Sequence, residues 1–252
     1  MTALNPQLRV RIQHQQGALA LDLDFAVDQP WTILFGPSGS GKTTILRMVA
    51  GFMQPDSGCI AAGLEQSVVF DSDRGISVPP HLRPVRTAAQ SARLFPHMSV
   101  RRNIAYGGGW LSKPVDEEQL VDELIKLFHL DGLEDKMPAA LSGGESQRAS
   151  VARAILSAVT RDRNLVLLDE PFTGLDGTIR DDLIATLPSW LRRWKTPVLS
   201  VTHDIAEAFQ LGAEVIKIAD GKVARQGPVD VVLAEERARL IAQLNAGVQS
   251  RA

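Results

Sequence analysis

Trp31-Thr32-Ile33-Leu34-Phe35, running straight into Gly36-Pro37-Ser38-Gly39-Ser40-Gly41-Lys42-Thr43-Thr44, is the stretch that decides the fold. The short apolar run reads as a strand. The glycine-rich turn follows, and then Ile45, Leu46, Val49 and Met53 recur at helical spacing. Strand, loop and helix form the setting in which a G-x-x-x-x-G-K-[ST] pattern cradles phosphate. The glycines let successive backbone N–H groups and the helix N-terminus face an anion. Lys42 brings a full positive charge toward the β- and γ-phosphates, and Thr43 a hydroxyl for Mg²⁺. Outside that setting the same residues would be only a glycine turn.

Two further apolar runs without alternation, Leu165 to Leu168 and Val198 to Val201, read as strands covered on both faces in a parallel sheet. Leu19, Leu21, Leu23 and Phe25 alternate with Asp22 and Asp24 between, which predicts a strand wet on one face. The fold class is therefore α/β. The run Leu165-Val166-Leu167-Leu168 delivers Asp169 and Glu170 at its end. Standing alone, such a pair is commonly a strand leaving the core with solvated charges. Beside a phosphate loop, Asp169 can hold Mg²⁺ directly or through water, and Glu170 can accept a proton from an attacking water.

Between these strands the chain turns helical. Leu120, Leu124, Leu127 and Phe128 fall at helical spacing over Asp116–Leu130, with Asp116 as N-cap. A second helix is expected over Gly143–Val159, started by Ser142. Residues 91–159 thus read as a helical insert between core segments 1–90 and 160–227, with a short helical tail over 228–252. Leu183, Leu187, Leu191 and Trp194 form another stripe, in which Pro188 is expected to bend or restart the helix. Arg86-Thr87-Ala88-Ala89 is a poor strand, expected to be loose.

The 252 residues are 44% hydrophobic and 22% charged, the make-up of a globular chain. A formal net charge of -2 and a pI near 6.2 provide no global attraction to nucleic acid or anionic lipid, and no nucleic-acid partner is expected. Cys59, the single cysteine, has no partner for an internal disulfide and reads as a plain buried or half-buried thiol. The start Met1 to Gln16 is polar and lacks the apolar block of a leader, and no apolar run approaches the ~20 residues that cross a bilayer. A cytoplasmic chain is expected, reaching a membrane only through a partner.

Leu141-Ser142-Gly143-Gly144-Glu145-Ser146-Gln147 resembles the signature sequence of the ABC ATPases, at its usual place before the Asp-Glu strand. Physically, Ser142 caps a helix whose N–H groups, with Gly143 and Gly144 permitting close approach, make a second anion site. Alone, it would be a turn that starts a helix. The resemblance also implies a glutamine, an aspartate and a histidine in that order, and Gln90, Asp176 and His203 stand at those places. It covers roughly Leu8 to Gly227. It implies a P-loop NTPase core, with a RecA-like parallel sheet, an antiparallel β edge and the inserted helical subdomain. It implies ATP and Mg²⁺ as ligands, with Gly36 to Thr44, Ser142, Gly143, Gly144 and Asp176 around the nucleotide. Thr43, Gln90 and Asp169 are implied at the metal, with Glu170, His203 and Gln90 in catalysis. Two copies are implied to pair head to tail, each ATP lying between the phosphate loop of one and Ser142-Gly143-Gly144 of the other. Since one set of motifs occurs here, a homodimer is expected.

Pro79-Pro80-His81-Leu82-Arg83 and the stretch Gln90 to Asn103 are similar to the ATPase subunits of molybdate importers. That likeness implies an oxyanion cargo, with molybdate and tungstate indistinguishable. It also implies a membrane permease contacting roughly Gln90 to Asn103, a solute-binding protein acting indirectly, and a peripheral place on the cytoplasmic face of the cell membrane. Leu94, Phe95 and Met98 are expected as an apolar floor, and Arg83, Arg86, Arg93, Arg101 and Arg102 as a basic edge. Three departures stand out. Where relatives stack adenine on an aromatic residue, this chain has His14-Gln15-Gln16. The strand before Gln90 is weak. Too few residues follow Gly227 for the β-rich regulatory domain that such ATPases commonly add, so feedback by bound oxyanion is not expected.

Other classes fit less well. Repair ATPases of this kind insert a long coiled coil and translation ATPases carry two cassettes, neither of which occurs here. A small-molecule kinase would leave Ser142-Gly143-Gly144 without a purpose. A binding switch with little hydrolysis would not need Glu170.

Overall fold

The computed structural model describes residues 7–63, 65–108, 116–160 and 165–249. Residues 1–6 of the polar start and the last three residues of the expected tail lie outside the described residues. In chain order the elements are β1 (Leu8–Gln16), β2 (Leu19–Val27), β3 (Trp31–Phe35), α1 (Lys42–Ala50), β4 (Ser57–Ala62), β5 (Ser67–Asp71), β6 (Ile76–Ser77) and β7 (Val85–Ala88). Three helices follow, α2 (Val100–Ala105), α3 (Glu117–Leu127) and α4 (Gly143–Val159). The chain then forms β8 (Leu165–Asp169), α5 (Gly177–Arg193), β9 (Val198–Thr202), α6 (Ile205–Leu211), β10 (Glu214–Ala219), β11 (Lys222–Pro228), α7 (Val229–Val232) and α8 (Ala234–Gln249).

Among the described residues the strands form one sheet in the order β6-β5-β4-β1-β2-β11-β10-β3-β9-β8-β7. β10, β3, β9, β8 and β7 run parallel to one another. β1 pairs antiparallel with β2 and β4, and β5 with β4 and β6, which supplies the antiparallel edge. Lys222 joins the two halves by pairing β11 with Asp22 of β2.

Every residue of β3, β8 and β9 is buried, as continuous apolar strands in a parallel sheet require. Their side chains divide by the two-residue period. Trp31, Ile33, Phe35, Val166 and Leu168 meet the cluster built on α3, α4 and α5. Leu34, Leu165, Leu167, Leu199 and Val201 meet the cluster of α1 and the β1–β2–β4 layer. The buried Trp31 indole donates to Ser200 Oγ at 2.9 Å, so both polar groups in the core are satisfied.

Four details differ from the sequence reading. β7 is an ordinary strand: Val85 to Ala88 pair in register with Leu165 to Leu168 of β8. Its small, polar residues suffice because the ladder and the packing of α4 supply what local propensity lacks. Pro188 does not restart its helix, since α5 runs as one helix from Gly177 to Arg193. The helix capped by Asp116 ends at Leu127 rather than Leu130, with His129 in the left-handed region (φ 50°).

Arg83 is the fourth. Rather than contributing to a basic edge, it is 1% exposed, among the largest fully buried side chains. Its Nε donates to Val78 O at 2.8 Å, and its Nη1 to Met48 O and Val49 O at 2.9 and 3.0 Å. It therefore satisfies the last carbonyls of α1, where a cation also suits the helix dipole. Gly51 is obligatory beside it, because a Cβ there would lie 2.6 Å from Arg83 Nε. Arg101 is likewise engaged, in an ion pair with Asp122.

Candidate functional site

Parallel strands deliver their functional residues at their carboxyl ends, where ligands of open α/β sheets bind. β3 ends into Gly36–Gly41, β8 into Asp169 and Glu170, β9 into His203, and β7 into Gln90. These residues come from four separate stretches of the chain, and the sheet brings them to one edge.

The phosphate loop closes tightly. Gly36 has no room for a side chain, since a Cβ would lie 2.5 Å from Ile218 O. Gly41 precedes α1 in the left-handed region (φ 91°), the conformation glycine tolerates. Lys42 folds back over the loop, its Nζ donating to Gly36 O and Pro37 O, each at 2.8 Å. Burial pulls its ammonium below the usual lysine range, against the opposing pull of Glu170 and Asp169. Thr43 Oγ1 donates to Asp169 Oδ1 at 3.1 Å. Burial pushes the Asp169 carboxyl up, offset by that hydrogen bond. Two hard oxygen donors at a helix N-terminus, with further positions open to phosphate oxygens and water, fit Mg²⁺.

Glu170 sits at the convergence. It adopts the left-handed region (φ 49°), an uncommon conformation for a non-glycine residue and a form of strain concentrated at functional sites. Gln90 Nε2 donates to its Oε2 at 3.0 Å, Thr173 Oγ1 to the same oxygen at 3.3 Å, and His203 Nδ1 lies 3.0 Å from Oε1. Gln90, Glu170 and His203 are therefore in direct contact. Thr173 was not singled out from the sequence, and nothing in its local pattern marks it.

Ser142, Gly143 and Gly144 lie elsewhere. Ser142 Oγ accepts from Glu145 N, and Glu145 Oε2 accepts from Ser142 N, a reciprocal capping box on α4. These bonds hold the Glu145 carboxyl below the usual range. A cleft of about 420 Å³ is lined by Gly143, Gly144, Gln147, Gln90 and Thr173. Among the described residues no hydrogen bond joins Ser142–Gly144 to Gly36–Thr44. Asp176 caps α5 by accepting from Thr178 N at 2.9 Å, and is exposed at the end of the loop that begins after Glu170. Ser38, Gly39 and Ser40 lie in the loop between β3 and α1, and Thr44 in the first turn of α1.

Within the expected permease-facing stretch, the residues divide. Asn103 is fully buried, its amide spanning Phe95 O, Met98 O and Ser99 O while its Oδ1 accepts from Phe95 N. Arg153 of α4 donates to Asn103 Oδ1 and Arg93 O and lies over the Phe95 ring, 4.9 Å from its centroid. Phe95 lines a cleft of about 590 Å³ with Phe52, Arg86, Tyr106 and Arg153, and Phe52 and Tyr106 are mostly exposed. Sequence reasoning missed Phe52, Tyr106 and Arg153, which lie outside that stretch. His14, in the stretch where relatives stack adenine, is mostly buried, with both ring nitrogens lacking hydrogen-bond partners and Asp56 3.4 Å from Nδ1. Among the described residues no helix is long and apolar enough to cross a membrane.

Comparison with known proteins agrees with this geometry. The ABC transporter family model matches residues 21–173, more than half the chain, from β2 past Glu170. The molybdenum import ATP-binding protein ModC of Mesorhizobium japonicum is 39% identical over 226 residues, 90% of this chain and 59% of its own. That of Rhodospirillum rubrum is 38% identical over 229 residues, 90% of this chain and 60% of its own. The chain thus spans about three fifths of the length of the curated relatives it matches. Two solved structures share the fold. One is cbiO1 of Clostridium perfringens, described as part of the ABC transporter complex cbiONQ (TM-score 0.74, 23% identity, 98% of this chain and 100% of that one). The other is an ATP-binding cassette captured as a dimer in a post-hydrolysis state with ADP and phosphate (TM-score 0.70, 21% identity, 88% of this chain and 98% of that one). With the phosphate loop, the Asp-Glu strand and the Ser-Gly-Gly helix start all inside the matched segment, the chain belongs to the ABC transporter family.

Proposed function

We propose that this chain is the ATP-hydrolysing subunit of an ABC importer whose cargo is molybdate or a closely similar oxyanion. The observation that carries the reading is the meeting of Gly36–Thr43, Asp169, Glu170, Gln90 and His203 at one edge of the sheet. The cargo rests on the likeness to the molybdenum import proteins.

Backbone N–H groups of the loop and the N-terminus of α1 receive the phosphates. Lys42 moves its ammonium from the Gly36 and Pro37 carbonyls to the β- and γ-phosphate oxygens. Mg²⁺, when bound, supplies charge that neutralises the phosphate oxygens, and Thr43 and Asp169, with Gln90, would hold it. Glu170 takes a proton from the attacking water. Both of its oxygens are engaged, by Gln90 and Thr173 on one side and His203 on the other. Gln90 and His203 turn to the γ-phosphate when it arrives, which frees Glu170 as base at the moment a substrate is present.

Ser142–Gly144 and Asp176 serve the nucleotide of a second copy, in a head-to-tail homodimer. Gly143 and Gly144 line a cleft to which no residue of Gly36–Thr44 contributes, which supports this arrangement. Residues 91–159 act as the helical subdomain between core segments 1–90 and 160–227, with a tail over 228–252. The membrane permease docks on the cleft of Phe52, Phe95, Tyr106, Arg86 and Arg153, placing the chain peripherally on the cytoplasmic face. An extracytoplasmic solute-binding protein acts through that permease.

The test is phosphate release by the complex captured from native membranes through this chain, reconstituted with its binding protein and offered molybdate, tungstate, sulfate and phosphate in turn. Selective stimulation by molybdate or tungstate is expected. A captured permease that responds to none of them leaves the motor and removes the cargo.

A further inference from the structure

Glu207 is a buried carboxyl that the mechanism above does not use. It lies in the first turn of α6, 5% exposed, four residues beyond His203, and its Oε1 has no hydrogen-bond partner. The turn between β9 and α6 is pinned on both sides of His203. Before it, buried Thr202 accepts from Asp204 N at 3.0 Å through Oγ1 and donates its hydroxyl hydrogen to the Glu207 carboxyl. After it, Asp204 Oδ1 accepts from Ala206 N at 2.8 Å and Glu207 N at 3.2 Å. Thr202, Asp204 and Glu207 thus close a ring behind His203, whose own side chain is left free to reach Glu170.

The charge around this ring decides the state of Glu207. Asp204 on its own turn and Glu170 at the end of β8 both oppose a further negative charge. Among the described residues Arg180 of α5 is the cation that acts on Glu207, and it already stands 3.8 Å from Asp204. Burial, the largest influence, pushes the Glu207 carboxyl up to about 7. Oε1, buried without a donor, is a costly place for negative charge.

We propose that Glu207 is the positioning residue that holds His203 against Glu170. The inference rests on the reading of Glu170 and His203 as a catalytic pair. Ionisation of Glu207 would add a negative charge beside those of Asp204 and Glu170 and loosen the His203 turn, so turnover should carry an alkaline limb that belongs to Glu207.

The experiment compares wild type, Glu207→Gln and Glu207→Ala by two readouts. The first is the imidazole titration of His203, followed by NMR on the nucleotide-free chain, which needs no ATP turnover. The second is the pH profile of phosphate release from MgATP. Glu207→Ala should shift the His203 titration and lower kcat about tenfold or more with KM for ATP little changed. Glu207→Gln, neutral and nearly isosteric, should match the wild-type kcat on the acid side of neutrality and lose the alkaline limb. An unshifted His203 in Glu207→Ala overturns the proposal, and so does a glutamine variant as impaired as the alanine one. A wild-type chain that releases no phosphate refutes the ATPase reading instead, and the His203 titration then decides the inference alone.

Discussion

Gln90 donates from its side-chain amide to Glu170 at 3.0 Å, across eighty residues of sequence, and so ties the end of β7 to the end of β8. Gln90 also lines the cleft that holds Gly143 and Gly144 at the start of α4. One exposed glutamine therefore contacts Glu170 and lines the same cleft as the start of α4.

Glu170→Gln should retain ATP and lose turnover by about 10²-fold or more, since an amide cannot accept the proton. Phosphate release measures the loss and equilibrium nucleotide binding the retention. The trapped protein should also sediment as a dimer with MgATP. Near-normal turnover would remove Glu170 from its role, and a monomer under those conditions would remove the head-to-tail pair.

Arg83→Ala should destabilise the fold by about 3 kcal/mol, because the buried carbonyls of Met48, Val49 and Val78 lose their donor together. Arg83→Lys should recover only part, as a single ammonium does not reproduce the planar fork. Urea denaturation of the three proteins settles the order. A loss below ~0.5 kcal/mol for alanine, the ordinary size of a surface change, would show that water replaces the guanidinium.

Arg153→Ala should reduce recovery of the membrane partner about tenfold, more than Phe95→Ala does. Arg153 holds both the Phe95 ring and the Asn103-centred loop, whereas Phe95 contributes only its own surface. Quantitative recovery of the permease with each tagged variant checks this. Equal recovery from wild type and both variants would place the docking surface elsewhere.

Glu207 also has a consequence for stability. Its carboxyl is raised from 4.5 to about 7 on folding, so between those values the folded chain holds a proton the unfolded chain has released. The contribution is full below the lower value and is lost as pH rises through the upper one, a decline of about 2–3 kcal/mol from about pH 5 to about pH 8. Glu207→Gln should flatten that part of the profile. Parallel pH–stability curves for wild type and the glutamine variant would exclude Glu207 as the source.

Much of this protein was legible in the linear order of residues. Continuous apolar runs marked β3, β8 and β9, because strands buried on both faces need no alternation. Asp116 and Ser142 marked the starts of α3 and α4, since capping is a local exchange between a side chain and N–H groups three residues on. The phosphate loop, Asp169 and Glu170 were readable for the same reason: each depends on neighbours in sequence. Other features depended on neighbours in space. β7 became a strand through its pairing with β8, against its own propensity. Arg83 looked like a surface charge until the end of α1 was folded over it. Phe52, Phe95, Tyr106 and Arg153 form one cleft only because α1, α2 and α4 meet there. Sequence by itself determined the elements and the chemistry each carries, since hydrophobic period, caps and glycine turns act over a few residues. Tertiary structure alone decided which carboxyl is buried, which arginine is spent inside and which residues meet Glu170, because burial and long-range contact are properties of the closed sheet and not of any segment.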